Sequence, residues 1–367
     1  MWKMVKLGEI CDVLDSLRKP ITKKDRVAGD YPYYGATGIV DWVEDYIFDE
    51  KLVLVGEDGA KWGSGDTTAF ITTGKYWVNN HAHVLRPMPE LVIHEWISYY
   101  LTGIDLSEFV TGLTVPKLNQ ANLRTIPIPL PPLAEQQRIV AKLDAAFAEI
   151  DEAIETTKNS KDNALKLYEA LSREVFFAGD DVVPLRDIAT VIMGQSPNGK
   201  SYNADGVGTP LVNGPVEFEE GSFGRSKSIK FTTQPTKFCK SGDALLCVRG
   251  STTGRMNLAS VDACIGRGVA AIRAHNNQQW INYFLQSARG YIFSIGTGAT
   301  FPNVSSKQIE SIEIRNPNEE EKRELIDKLS ECYENIQVIN KTYDLKKSNL
   351  VILKSAILAQ ELQREVA

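Results

Sequence analysis

The sequence predicts an α+β protein assembled twice over: two tandem-repeated α/β units with strongly bent sheets, each followed by a long helix. The two helices are expected to pair antiparallel as a coiled coil with pseudo-two-fold symmetry. Three observations carry this reading. Blocks of sequence recur in order at a slowly drifting offset, apolar positions recur at heptad spacing after each set of blocks, and the remainder of each copy mixes short β-rich runs with turn residues.

The repeat fixes the domain count. Val5–Val13 (VKLGEICDV) returns as Val183–Val191 (VPLRDIATV), 178 positions on; Trp96–Leu101 (WISYYL) returns as Trp280–Leu285 (WINYFL), 184 on; and Thr111–Leu118 (TGLTVPKL) returns as Thr297–Val304 (TGATFPNV), 186 on. A chain of 367 residues suits two or three units of ordinary size. The expected boundaries are 1–132 for the first unit, 133–179 for the first long helix, 180–317 for the second unit and 318–367 for the second long helix.

Within the first unit, Lys51–Val55 and Thr67–Thr72 read as strands and Val92–Thr102 as a helix; in the second, Ser228–Thr232 and Ala244–Val248 read as strands and Gln278–Ala288 as the helix. Pro131-Pro132 and Asn316-Pro317 then signal helix starts. The first heptad series is Ile139, Leu143, Ala146, Ile150, Ala153, Thr157, Ser160, Ala164, Leu167 and Leu171. The second, each member 186 positions later, is Leu325, Leu329, Cys332, Ile336, Ile339, Tyr343, Lys346, Leu350, Leu353 and Ile357. A helix over 133–177 extends roughly 67 Å, longer than the cover of one domain requires. The first helix leaves the first unit for the second and the other starts at the second, so a paired arrangement has to be antiparallel.

Composition narrows the function. The net charge of −6 argues against coating nucleic acid by bulk electrostatics, yet the segments carry −4, −3, +3 and −2 in order, so 180–317 alone is basic. Five scattered cysteines without C-x-x-C spacing suggest neither a disulfide framework nor a zinc knuckle, and suit a reducing cytoplasm. No apolar run approaches the roughly 18 residues of a membrane span, and Met1–Leu14 lacks a signal-peptide core.

Motifs for chemistry are incomplete. Gly194–Ser201 (GQSPNGKS) fits G-x-x-x-x-G-K-[ST], the basis of an alternative reading as a P-loop nucleotide-binding enzyme. That loop needs a helix directly after it, and YNADGVGTP disfavours one, so a turn with exposed Lys200 is expected. His94-Glu95 begins like H-E-x-x-H but Ser98 stands in the fifth position; His81 and His83 share a strand face without an evident third ligand. No catalytic residue, metal or cofactor is therefore assigned.

Basic and amide side chains in the loops point instead to DNA: Arg18, Lys19, Lys23, Lys24, Lys61, Asn79 and Asn80 in the first unit, and Lys200, Asn203, Asn213, Arg225, Lys227, Arg249, Arg255 and Arg267 in the second. Arginine and lysine grip phosphates or read guanine, and asparagine reads adenine. Two glycine-rich turns, Gly56–Gly63 and Arg249–Arg255, each follow an apolar strand and rank first, because glycine lets backbone approach a ligand closely. A coiled-coil scaffold that only joins proteins is the other alternative.

At Ile126–Val140 (IPIPLPPLAEQQRIV) the chain resembles the specificity subunits of type I restriction-modification systems, in which a proline run and Glu-Gln-Gln-Arg open the helix after a target-recognition domain. The Thr-Gly-x-Thr-x-Pro segments, Met193–Pro197 with Tyr202-Asn203, and Ser241–Leu245 also look like that family, while Asn318–Glu324 departs from its proline and glutamine pattern. The resemblance implies a non-catalytic subunit that reads a bipartite site in double-stranded DNA, one half per recognition domain. It also implies two methyltransferase subunits docked on the helices, S-adenosylmethionine bound by those partners, and restriction subunits in the full complex.

Overall fold

One four-stranded sheet and one two-stranded sheet have the same strand order in both halves of the chain, and the remaining sheet carries an extra strand, Tyr202–Asn203, in the second half. The computed structural model describes residues 2–112, 114–221, 223–298 and 301–363, which form two units, Met1–Lys158 with Thr342–Ala367 and Asn159–Lys341. Leu113, Ala299 and Thr300 of the repeated Thr-Gly-x-Thr segments, and positions 364–367 of the expected second helix, lie outside the described residues.

In the first unit, Leu52–Gly56 is buried at all five positions, as a continuous apolar run at a sheet centre should be. It pairs antiparallel with Ala82–Pro87 and Ala69–Thr72, and Cys11–Val13 adds the edge beyond Ala82–Pro87. A second sheet orders Gly38–Val43, Tyr31–Gly35, Lys75–Val78 and Phe48–Asp49, with one parallel pairing, Tyr33 beside Trp77. Lys3–Lys6 and Pro127–Leu130 form a third, two-stranded sheet.

The second unit repeats this. Ala189–Met193, Val269–Ala274, Ala244–Cys247 and Met256–Leu258 form the first sheet, and Val182–Pro184 with Glu313–Arg315 the two-stranded one. The remaining sheet, from Tyr202–Asn203 through Phe231–Thr232, Thr209–Val212 and Ala263–Ile265 to Phe238–Cys239, again holds one parallel pair, Leu211 beside Cys264. The helices His94–Gly103 and Gln278–Ser287 lie within two residues of their expected bounds.

Both long helices are continuous, Leu133–Phe177 and Glu319–Gln363. Each sends one end into each unit's core. In the first unit Ile139, Val140, Leu143, Leu358 and Leu362 pack with Val53, Leu85, Trp96 and Leu101. In the second, Tyr168, Val175, Phe176, Leu329 and Ile336 pack with Leu246, Trp280 and Phe284. Within the first unit Lys142 Nζ meets Glu361 at 2.7 Å and Lys354 Nζ meets Asp151 at 2.6 Å, so residues rising along one helix oppose residues falling along the other.

The helix starts are pinned by side chains of the repeat. Trp96 Nε1 donates to the Pro129 carbonyl and Trp280 Nε1 to the Arg315 carbonyl, both at 2.9 Å. Gln136, fully buried, accepts from Ile93 N at 3.1 Å and donates to the Leu91 and Pro131 carbonyls at 2.9 Å each. Its counterpart 186 positions on is Lys322, also buried, whose ammonium is paired with Glu319 at 2.7 Å. Asn318 Oδ1 accepts from Glu321 N at 3.0 Å and caps this helix in place of the first helix's prolines.

Burial divides the residues of the expected heptad seam. Ile139, Leu143, Ile150, Leu329 and Ile336 are buried, and Leu171, Leu325, Ile339, Leu350 and Ile357 are half-buried. Leu167 and Leu353 are exposed, at 66% and 45%, while Tyr168, next to Leu167, and Leu358, next to the half-buried Ile357, are buried. From Ile150 to Tyr168 is 18 residues, five turns at about 3.6 residues per turn, whereas a 3.5 period selects Leu167. The buried stripe thus follows the period of a straight helix, so an assignment counted in heptads slips by one residue toward the end of each helix.

Candidate nucleic-acid interface

The two glycine-rich turns leave the ends of the buried central strands. In the first unit the turn begins at Glu57, only 7% exposed, whose carboxylate meets Arg18 Nη1 and, at 2.8 Å, Lys117 Nζ. Asp15 accepts from Arg18 as well, and His83 faces oxygen at both ring nitrogens: Asp15 Oδ2 at 2.6 Å and the Leu118 carbonyl at 2.7 Å. Burial by itself raises the Asp15 carboxyl, but the hydrogen bond and charge of His83, the Val84 amide and Arg18 outweigh it and hold the group below the ordinary carboxylate range. Glu57 follows the same logic: burial raises it, and Lys117, Arg18 and His83 bring it lower on balance.

Asp15, Glu57 and His83 place one ligand atom each within 4.8 Å of one another, so His83 gathers two carboxylates rather than acting with His81, a grouping that spacing alone did not reveal. The positive charge such a donor set asks for is already supplied by Arg18 and Lys117. The cluster is thus a closed ion network that ties together the segment at 15–18, the turn at 57–63 and the segment at 111–118. Lys61 projects from that turn into solvent, and beside it His81 pairs with Asp58.

In the second unit the turn Arg249–Arg255 depends on glycine twice: Gly250 and Gly254 both have φ +83°, and a Cβ on Gly254 would stand 2.7 Å from the Arg289 carbonyl. The Pro302 carbonyl accepts from Gly250 N at 3.1 Å and from Thr253 Oγ1 at 2.9 Å. Arg249 is exposed, whereas Arg255 is half-buried, lying over the Phe218 ring and donating to the Glu219 carbonyl.

The remaining candidates divide sharply. Lys19, Lys23, Lys24, Asn80, Lys200, Arg225, Lys227 and Arg267 are exposed. Arg18 is spent on Asp15, Glu57 and the Ala82 carbonyl, and Asn79 is 5% exposed with its oxygen accepting from His81 N, so neither can reach a base. Asn203 closes its own turn, accepting from Asp205 N and Val207 N, and Asn213 packs its oxygen against Gly266. Gly199–Ser201 is a single 3-10 turn followed by the strand Tyr202–Asn203; the phosphate-cradling helix is not formed there, and Lys200 is exposed on a turn as expected.

Lys117 and the apolar positions Val115 and Phe301 join these candidates only in the structure. Lys117 carries no motif of its own. Val115 and Phe301 sit in the Thr-Gly-x-Thr-x-Pro repeats, and their equivalence was the available signal.

Two α/β units that share a sheet plan, each offering a glycine-rich turn and exposed cations, define a duplicated binding module. The family model for the type I restriction modification DNA specificity domain matches residues 1–161 and again 180–346. The chain belongs to that family. A Haemophilus influenzae chain named as the type I restriction enzyme specificity subunit S.HindORF215P is 39% identical over 147 residues, 40% of this chain and 37% of that one. A Methanocaldococcus jannaschii chain named as the MjaX specificity subunit is 31% identical over 243 residues, 61% of this chain and 56% of that one. The aligned stretches thus span less than two thirds of these relatives. Among solved structures, one described under complex assembly and conformational transition of the type I R-M system superimposes with a TM-score of 0.76 at 23% identity, over 98% of this chain and 97% of that one. The HsdS subunit from Thermoanaerobacter tengcongensis gives 0.58 at 22%, over 99% and 96%. Among the described residues no helix is long and apolar enough to cross a membrane.

Proposed function

We propose that this chain is the non-catalytic DNA-reading subunit of a type I restriction-modification complex, each α/β unit reading one half of a bipartite duplex site. The observation that carries the reading is the duplication itself: a shared sheet plan, one glycine-rich turn and one 45-residue helix per copy, with different loop side chains in each. Unlike loops on like scaffolds suit two different half-sites. The paired helices, antiparallel about a pseudo-two-fold axis, then act as a spacer of fixed length, and their ends present inverted readers to the duplex.

Two methyltransferase subunits dock along the helices and bind S-adenosylmethionine, and restriction subunits join the full complex. Two hollows support a pair of docking places. One, about 890 Å³, lies in the second unit by Leu165, Tyr168, Phe177 and Tyr291. The other, about 390 Å³, lies in the first unit by Tyr99, Phe147, Val351 and Leu358. Leu165 and Val351 are separated by the repeat offset of 186. The exposed Leu167, Val338, Leu345 and Ile352 give the helices further apolar surface for a partner.

Methylome sequencing of cells carrying this chain with its methyltransferase tests the proposal. Two short half-sites separated by a fixed gap are expected, and insertion of one helical turn into both long helices should change the gap and leave the half-sites as they are. Methylation at a continuous site, or none, refutes it.

A further inference from the structure

We infer that Val115 and Phe301 are a matched pair of apolar base-contacting side chains, one in each reader, pressed into a groove of the duplex; this rests on the DNA-reading function proposed above. Both residues are exposed, at 65% and 56%, although β-branched and aromatic side chains lose by remaining in water. They are 186 positions apart and occupy the same place in the same loop.

The described residues on either side of each tip are placed alike in both units. Thr111 and Lys117 exchange backbone hydrogen bonds at 2.9 and 2.7 Å, as Thr297 and Asn303 do at 2.9 Å each. Gly112 and Gly298 take φ +95° and +132°, and a Cβ there would stand 2.4 Å from the Val115 carbonyl and 2.5 Å from the Phe301 carbonyl. A proline, Pro116 or Pro302, follows each tip. Each loop is also fastened to the glycine-rich turn of its unit. Leu118 N donates to the Glu57 carbonyl at 2.8 Å and Lys117 pairs with Glu57; Val304 N donates to the Val248 carbonyl at 2.9 Å, and Gly250 and Thr253 hold the Pro302 carbonyl.

The backbone pairing of Thr111 with Lys117 and of Thr297 with Asn303 lowers the ordering cost of bringing Val115 and Phe301 against a ligand. Lys61 in one unit and Arg249 in the other stand on the turns to which the tips are fastened, so phosphate contacts by those cations bring the tips against base edges. There an apolar group meets a thymine methyl or leans on a base step. The difference between valine and phenylalanine matches the difference expected between half-sites.

The test uses the complex assembled with its methyltransferase subunits and a duplex carrying the site mapped by methylome sequencing, titrated at several salt concentrations. Phe301→Ala should weaken binding about tenfold and Val115→Ala about threefold, in the range of single apolar base contacts. The slope of log K against log salt should stay as in the unchanged complex, while Arg249→Ala should lower that slope by about one. Each tip substitution should also relax discrimination in one half-site only. Unchanged affinity and discrimination in both tip variants overturns the inference. So does loss of methyltransferase subunits from either variant on gel filtration, which marks the tip as a protein contact. If the unchanged complex retains no duplex at all, the DNA-reading function itself fails, an outcome distinguishable from either of these.

Discussion

Replacing Gln136 by alanine separates a geometric anchor from a charged one, because the repeat supplies Lys322 as an internal control. The Gln136 amide makes three hydrogen bonds that bind the start of the first long helix to the segment before His94–Gly103. Its loss leaves the Ile93 amide and the Pro131 carbonyl short of partners, while the Leu91 carbonyl belongs to an exposed residue and is rehydrated. At about 1 kcal/mol for each bond, with a further contribution for the two groups left under-satisfied, Gln136→Ala should cost about 3 to 4 kcal/mol. Lys322→Ala removes an ion pair with Glu319, whose side chain is 55% exposed. Such a pair, three residues apart on one helix, contributes roughly 0.5 kcal/mol, so with its packed stem the lysine should cost about 1 kcal/mol. Urea unfolding followed by tryptophan fluorescence reads both, since Trp96 and Trp280 sit beside the respective helix starts. With a slope of roughly 2 to 3 kcal/mol per molar, Gln136→Ala should lower the midpoint by about 1 M and Lys322→Ala by a third of that or less. Equal shifts, or a loss under about 1 kcal/mol for Gln136→Ala, would refute the view that a buried amide holds this junction.

Three further expectations follow from the same packing. Tyr168→Ala should cost about 3 to 5 kcal/mol and Leu167→Ala less than about 0.5, the reverse of a heptad assignment, as urea midpoints would record. Asp15 and Glu57 have folded values below their ordinary ones, so the stability they contribute is complete above the unfolded carboxylate range and is lost as pH falls through the lower folded values. Thermal melts between pH 6 and pH 3 should therefore show a smaller acid loss for Asp15→Asn than for the unchanged chain, and equal losses would count against the network. Burial pushes the thiol of Cys11 up to about 12 and those of Cys239 and Cys247 to about 11, whereas Cys332 is only half-buried. Ellman's reagent at pH 8 should accordingly titrate Cys332 first, and Cys332→Ser should abolish the fast phase.

The duplication, the two long helices with their starts, and the dismissal of the phosphate loop were all legible in the one-dimensional pattern. Recurring blocks, proline signals and apolar spacing are properties of neighbouring residues, and the helix-breaking YNADGVGTP stretch is as visible in a line as in a fold. Which cations face solvent was not legible. Arg18 and Lys61 look alike in sequence, and only the approach of Asp15, Glu57, His83 and Lys117, drawn from positions up to about a hundred residues apart, commits one to the interior and leaves the other exposed. The buried stripe likewise went to Tyr168 rather than Leu167 because helix geometry accumulates a small angular drift over many turns. No window of one or two heptads contains that sum; it exists only once the whole helix lies against its neighbours.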